Sequence, residues 1–136
     1  KVFCSLLNVS SLIDARGMEK IGPELLAGIE MGDIVLVLTG FGAKFHDLDY
    51  YEKYPELTEV FANKLVELKV KIVGLDTPSP DREPFAVHKI LLGKEILIIE
   101  NLHNLEQLLD QKFEVVALTA KLETDAALIR VIAKII

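Results

Sequence analysis

Apolar residues fall in short blocks separated by polar, glycine- or proline-bearing turns, and the spacing inside each block predicts its element. Ile34 to Leu38 is apolar at every position, the pattern of a central strand covered on both faces. Val2 to Val9 reads as a first strand, with Ser10, Ser11, Asp14 and Gly17 supplying turn chemistry behind it. Pro23 suits the first turn of a short helix from Glu24 to Ile29, and Gly32-Asp33 turns the chain into the central strand. Thr39 to Tyr54 mixes glycines, polar residues and aromatics, as a loop does. From Pro55 onward Leu57, Phe61, Leu65 and Leu68 recur at threes and fours, which predicts the clearest helix. Glu56 and Glu59 at its start and Lys64 and Lys69 toward its end complement the helix dipole.

Lys71 to Leu75 predicts another strand, and Asp76 to Asp81, DTPSPD, a rigid loop. A helix is expected from Pro84 to Leu92, ended by Gly93. Glu95 to Asn101 reads as a strand, Leu105 to Leu109 as a short helix, and Phe113 to Thr119 and Ile129 to Ile135 as the last strands. Alternating strands and short helices imply an α/β domain with a central mixed β-sheet. With no repeat, linker or low-complexity tract, residues 1–136 are expected to form one domain.

Composition narrows the partners. Apolar residues make up 51% and charged residues 26%, a globular balance. The net charge of −6 and the absence of a basic stripe speak against nucleic acid, whose phosphates call for clustered Lys and Arg. No apolar run approaches the roughly 20 residues that span a bilayer, so no membrane role is expected. The single cysteine, Cys4, cannot form an internal disulfide, and a reducing cytoplasm is the default. The chain opens at Lys1, directly in a strand-like run, as a processed protein or a piece of a longer polypeptide would.

Candidate chemistry concentrates between Val87 and Leu105. His88 falls early on a helix, where the positive helix end favours a neutral ring that can donate a lone pair to a metal. Glu100 ends an almost wholly apolar strand, where a carboxylate is costly unless a cation or a set of donors meets it. In strand alternation Ile96, Ile98 and Glu100 share one face and Leu97, Ile99 and Asn101 the other. From spacing alone structural roles are the favoured reading for both residues, since two ligands do not make a metal site. Asp76 suits bracing its loop and Asp81 capping the helix after it, while His46 and His103 read as exposed polar residues. The glycines of Gly40-Phe41-Gly42-Ala43-Lys44 lack the third glycine of a dinucleotide fingerprint, and Lys44 is followed by Phe45 rather than Ser or Thr. Ser79 has no nucleophile elbow, and Cys4 no activating neighbour.

Four segments, taken in order, resemble the C-terminal two-thirds of the putative-cyclase family, which includes the bacterial kynurenine formamidases. They are MGDIVLVLTGF at Met31 to Phe41, VGLDTPSPD at Val73 to Asp81, FAVHKILL at Phe85 to Leu92 and IIENLHNLEQL at Ile98 to Leu108. The resemblance implies a swivelling β/β/α fold, usually a homodimer or larger oligomer, with His88 and Glu100 as ligands of a metal, typically zinc. It implies a metal-dependent hydrolase acting on a small-molecule amide or ester. For the formamidases the substrate is N-formylkynurenine, cleaved to kynurenine and formate in tryptophan catabolism. The family's hallmark, His-x-Gly-Thr-His-x-Asp-x-Pro-x-His, has no match here, so the remaining ligands and the proton-shuttling histidine are expected from a missing N-terminal segment. No catalytic residue is identified in this chain, which is expected to be inactive alone. A non-catalytic relative, keeping the fold as an oligomeric or ligand-binding module, is the alternative.

Overall fold

The computed structural model describes residues 8–136. Its centre is a curled, six-stranded mixed sheet. The strands are β1 (Asn8–Asp14), β3 (Ile34–Leu38), β5 (Ile72–Leu75), β6 (Leu97–Ile99), β7 (Phe113–Thr119) and β8 (Ile129–Ile135). They lie in the order β6-β5-β3-β1-β7-β8. The first four run parallel, and β7 joins β1 antiparallel with β8 outside it. A separate parallel pair, β2 (Lys20–Ile21) with β4 (Glu56–Leu57), lies beside this sheet. Two helices complete the layer on one face, α1 (Glu59–Glu67) and α2 (Ala86–Leu92).

Strand alternation divides the core into two layers. Val35, Val37, Val73 and Leu75 face α1 and α2, packing against Phe61, Leu65, Val87 and Leu91. Ile34, Leu36, Leu38 and Ile72 face the opposite way, toward Ile99, Leu105, Phe113 and Val115. Every residue of β3 is buried, so the uninterrupted apolar run is the central strand expected of it. Gly74 lies where β3, β5 and β6 crowd together. A Cβ there would stand 2.7 Å from a methyl of Leu36 and 2.7 Å from one of Leu102.

Several boundaries differ from those read off the sequence. Ser10, Ser11 and Asp14 are strand rather than turn, because Ser10–Asp14 pair in register with Ile34–Leu38. The part of the expected first strand before residue 8 lies outside the described residues. The helix expected from Pro55 begins at Glu59, capped by the Thr58 side chain accepting from Phe61 N–H. Leu57 belongs to β4 instead. The helix expected over Glu24 to Ile29 is a single 3-10 turn, Pro23–Leu26. The loop after β3 contains a 3-10 turn, Phe41–Lys44, and a small aromatic core of Phe41, Tyr50 and Tyr54.

Glu56 ties β4 to the loop before α2. Its Oε1 accepts from Arg82 N–H at 2.9 Å, while Oε2 meets Arg82 Nη1 at 2.8 Å and also Lys20 Nζ. Burial alone would raise this carboxyl's pKa, but Lys20 and Arg82 outweigh it and hold it below the ordinary value. A pKa lowered on folding contributes stability above the unfolded carboxyl's range, about 4.3, and loses it as pH falls through the folded value. Glu56→Gln should therefore destabilise most near neutrality. The gap in thermal midpoint from wild type should narrow as pH falls below about 4. A gap constant from about pH 7 to about pH 3 would show that the carboxylate charge contributes nothing.

Candidate functional site

The chain reverses at Gly93–Glu95, so the first turn of α2 comes back over the far end of β6. The strand expected from Glu95 to Asn101 is shorter, Leu97–Ile99; Ile96 and Ile98 pack in the layer facing α1 and α2, and Glu100 follows the strand's end. His88 Nε2 and Glu100 Oε1 stand 3.5 Å apart. The two residues singled out in the sequence therefore do converge, from separate elements.

A third residue completes the arrangement. Nδ1 of His88 lies 2.5 Å from Asp81 Oδ1, in hydrogen-bond contact. Asp81 Oδ2 accepts from Val87 N–H at 2.8 Å, so Asp81 does cap the start of α2 as expected. Its contact with the imidazole was not foreseen. Exposure rises along the row, from 8% for the Asp81 side chain through 25% for His88 to 36% for Glu100. The row opens to solvent at the Glu100 end. A concavity of about 370 Å³ reaches the row from the other side, with Asp81 and Val87 in its wall.

Local bonding explains why the row holds its shape. Asp81 C=O accepts from Ser79 Oγ at 2.7 Å and from Tyr54 OH at 3.1 Å. Asp76 braces the exit of β3 rather than its own loop, taking Thr39 N–H, Thr39 Oγ1–H and Gly40 N–H on its carboxylate. Beyond Glu100, Asn101 adopts a left-handed backbone with φ of 57° and accepts from Tyr50 OH at 2.8 Å. Burial pushes the Tyr50 phenol up to about 12, which keeps it a donor at neutral pH. His46 and His103 are exposed, as expected, and their rings flank Phe45 rather than the His88–Glu100 pair.

Electrostatics favour positive charge between the pair. Burial raises the Glu100 carboxyl above its ordinary value; His88 opposes this and the Asp81 charge adds to it. A neutral Nε2 and a carboxylate are both acceptors, so a proton or a cation must lie between them for the contact to be attractive. Two donor bonds of about 2.1 Å meeting at a tetrahedral cation put their donors about 3.4 Å apart. The observed separation of 3.5 Å fits a shared cation. A nitrogen and a carboxylate oxygen are also donors that zinc accepts. Among the described residues no cluster of three or more His, Cys, Asp or Glu side chains forms a complete site.

Comparison with known proteins agrees with this architecture. Residues 7–82, more than half of the chain, match the family described as Putative cyclase. An uncharacterized protein of Methanocaldococcus jannaschii is 39% identical over 103 residues, covering 74% of this chain and 53% of that protein. A solved structure described as a potential metal-dependent hydrolase with cyclase activity superposes with a TM-score of 0.79 at 30% identity, covering 93% of this chain and 64% of that one. A predicted metal-dependent hydrolase from Bacillus stearothermophilus gives a TM-score of 0.76 at 28% identity, with 92% and 62% covered. The chain spans about half the length of the archaeal relative and less than two thirds of either solved chain. Among the described residues no helix is long and apolar enough to cross a membrane.

Proposed function

The chain belongs to the Putative cyclase family, and from that premise we propose that it forms part of a metal-dependent hydrolase in which His88 and Glu100 hold a divalent cation. The observation that carries this reading is the meeting of an imidazole nitrogen and a carboxylate oxygen at 3.5 Å, on a face open to solvent. Two solved proteins of the same fold, described as metal-dependent hydrolases, support it. Zinc is our choice of cation because the donors are nitrogen and oxygen and the spacing suits tetrahedral ligation.

His88 and Glu100 would hold the cation, which when bound would supply Lewis acidity toward a carbonyl and lower the pKa of water toward neutrality. His88 contributes its Nε2 lone pair, while Glu100 contributes charge from a partly buried carboxylate whose desolvation the cation offsets. A hydrolytic zinc site needs about three protein ligands besides water. We propose that the further ligands, and the group that carries a proton to the leaving amine, come from outside residues 8–136. The substrate we propose is a small amide or ester. An aryl formamide such as N-formylkynurenine is the first to test, because the ordered motifs described above resemble those of the kynurenine formamidases. We propose a cytoplasmic homodimer as the working assembly. The outward face of β7 and β8 supports self-association, since Leu118 and Ile132 are half exposed there.

Elemental analysis of the full-length protein, paired with hydrolysis assays on an aryl formamide and an aryl ester, tests the reading. Bound divalent metal, with hydrolysis lost to a chelator and restored by zinc, is the expected result. A protein that binds no metal and cleaves neither compound would be the non-catalytic module instead.

A further inference from the structure

We infer that Asp81 is a positioning residue that fixes His88 as the tautomer protonated on Nδ1, leaving Nε2 unprotonated and aimed at Glu100. The purpose of this orientation rests on the cation role proposed above; the tautomer itself does not. Asp81 is nearly buried, and an ionised carboxylate can only accept hydrogen bonds. Its two oxygens meet two different groups, Val87 N–H on Oδ2 and His88 Nδ1 on Oδ1. The ring proton must therefore lie on Nδ1 for the 2.5 Å contact to be a hydrogen bond. A neutral imidazole then carries its lone pair on Nε2, 3.5 Å from Glu100. Histidine ligands of metals are commonly held this way by a carboxylate on the other nitrogen, which fixes tautomer and ring orientation together.

The support beneath Asp81 is stiff on both sides. Its carbonyl is held by Ser79 and Tyr54, and the next residue, Arg82, is gripped by Glu56 through its backbone N–H and its guanidinium. The guanidinium also lies 4.3 Å over the Tyr54 ring. Capping Val87 uses only one oxygen of Asp81, so a purely structural role would be served by asparagine as well. Asparagine offers one acceptor and one donor group. With its carbonyl kept on Val87 N–H, its amide would face Nδ1 as a donor. That forces the ring proton onto Nε2, where it blocks the lone pair.

The test is nitrogen-15 NMR of the His88 ring near about pH 8, above the ordinary imidazole range, with zinc affinity measured alongside. Wild type is expected to show the Nδ1-protonated form. Asp81→Asn is expected to show the Nε2-protonated form at nearly unchanged thermal midpoint, with zinc bound roughly 10- to 100-fold more weakly. An Nε2-protonated ring in wild type overturns the inference, and this measurement needs no variant to fold. So does a variant that keeps the wild-type tautomer. If wild type binds no zinc and yet the tautomer inverts in Asp81→Asn, the proposed function fails while the positioning role stands.

Discussion

Glu100→Gln should abolish cation binding measurable by zinc titration and lower amide hydrolysis on the order of a thousandfold, several kcal/mol of transition-state stabilisation being at stake. Glutamine keeps the shape and one carbonyl oxygen but loses the charge, so any effect reports charge and ligation rather than packing. The carboxylate is partly buried, and its ionised form is already disfavoured by burial and by Asp81. Without a cation, the neutral side chain should be tolerated as well as the charged one or better. Thermal stability in the presence of chelator should therefore hold or rise in Glu100→Gln, while wild type should gain from added zinc and the variant should not. His88→Ala should remove the same cation-linked gain by deleting the other donor. If zinc raises the thermal midpoint of Glu100→Gln as much as that of wild type, the cation lies elsewhere and the reading of this pair fails.

What the residues disclosed before any coordinates follows a physical division. Ile34 to Leu38 could be placed because an unbroken apolar run has one economical home, between two covered faces. Ile98 could be placed on the face opposite Leu97 and Ile99 because strand alternation is strict over a few residues. Features decided by partners distant in sequence were not legible. β2 and β4 have two residues each, too few for any period to register, and exist because Lys20 and Ile21 find Glu56 and Leu57. Ser10 and Ser11 look like turn residues, yet pairing with Ile34 and Val35 overrides that preference. Asp81 could be read as a cap from its position before a helix. Its bond to His88 could not, because it depends on how the loop returns after Pro84, with Phe85 in a left-handed conformation at φ of 58°. An acidic residue seven positions before a histidine carries no periodic signature. Only the habit of metal-binding histidines to recruit a carboxylate could have suggested it.

Asp76→Ala should be the most destabilising single change among the polar residues described here, costing about 3 kcal/mol. The side chain is 4% exposed and takes three donors, Thr39 N–H at 3.0 Å, Thr39 Oγ1–H at 2.6 Å and Gly40 N–H at 2.8 Å. These bonds join the end of β5 to the exit of β3 and hold Gly40 in a left-handed turn with φ of 77°. Alanine leaves two backbone N–H groups without their acceptor, and each such group costs roughly 1–3 kcal/mol when buried. The concavity beside Gly40 and Asp76 admits water, which keeps the total below the sum of three losses. Asparagine should rescue little, since its amide would turn a donor toward a backbone donor. Thr39→Ala should cost less, about 2 kcal/mol, because it deletes one donor to Asp76 and leaves a single main-chain donor, Phe41 N–H, without the hydroxyl that accepts from it. Urea unfolding of the three variants distinguishes these roles. The expected order of stability is wild type, then Thr39→Ala, then Asp76→Asn, with Asp76→Ala lowest or beside it. An Asp76→Ala protein within about 0.5 kcal/mol of wild type would mean that the carboxylate is not the brace joining these strands.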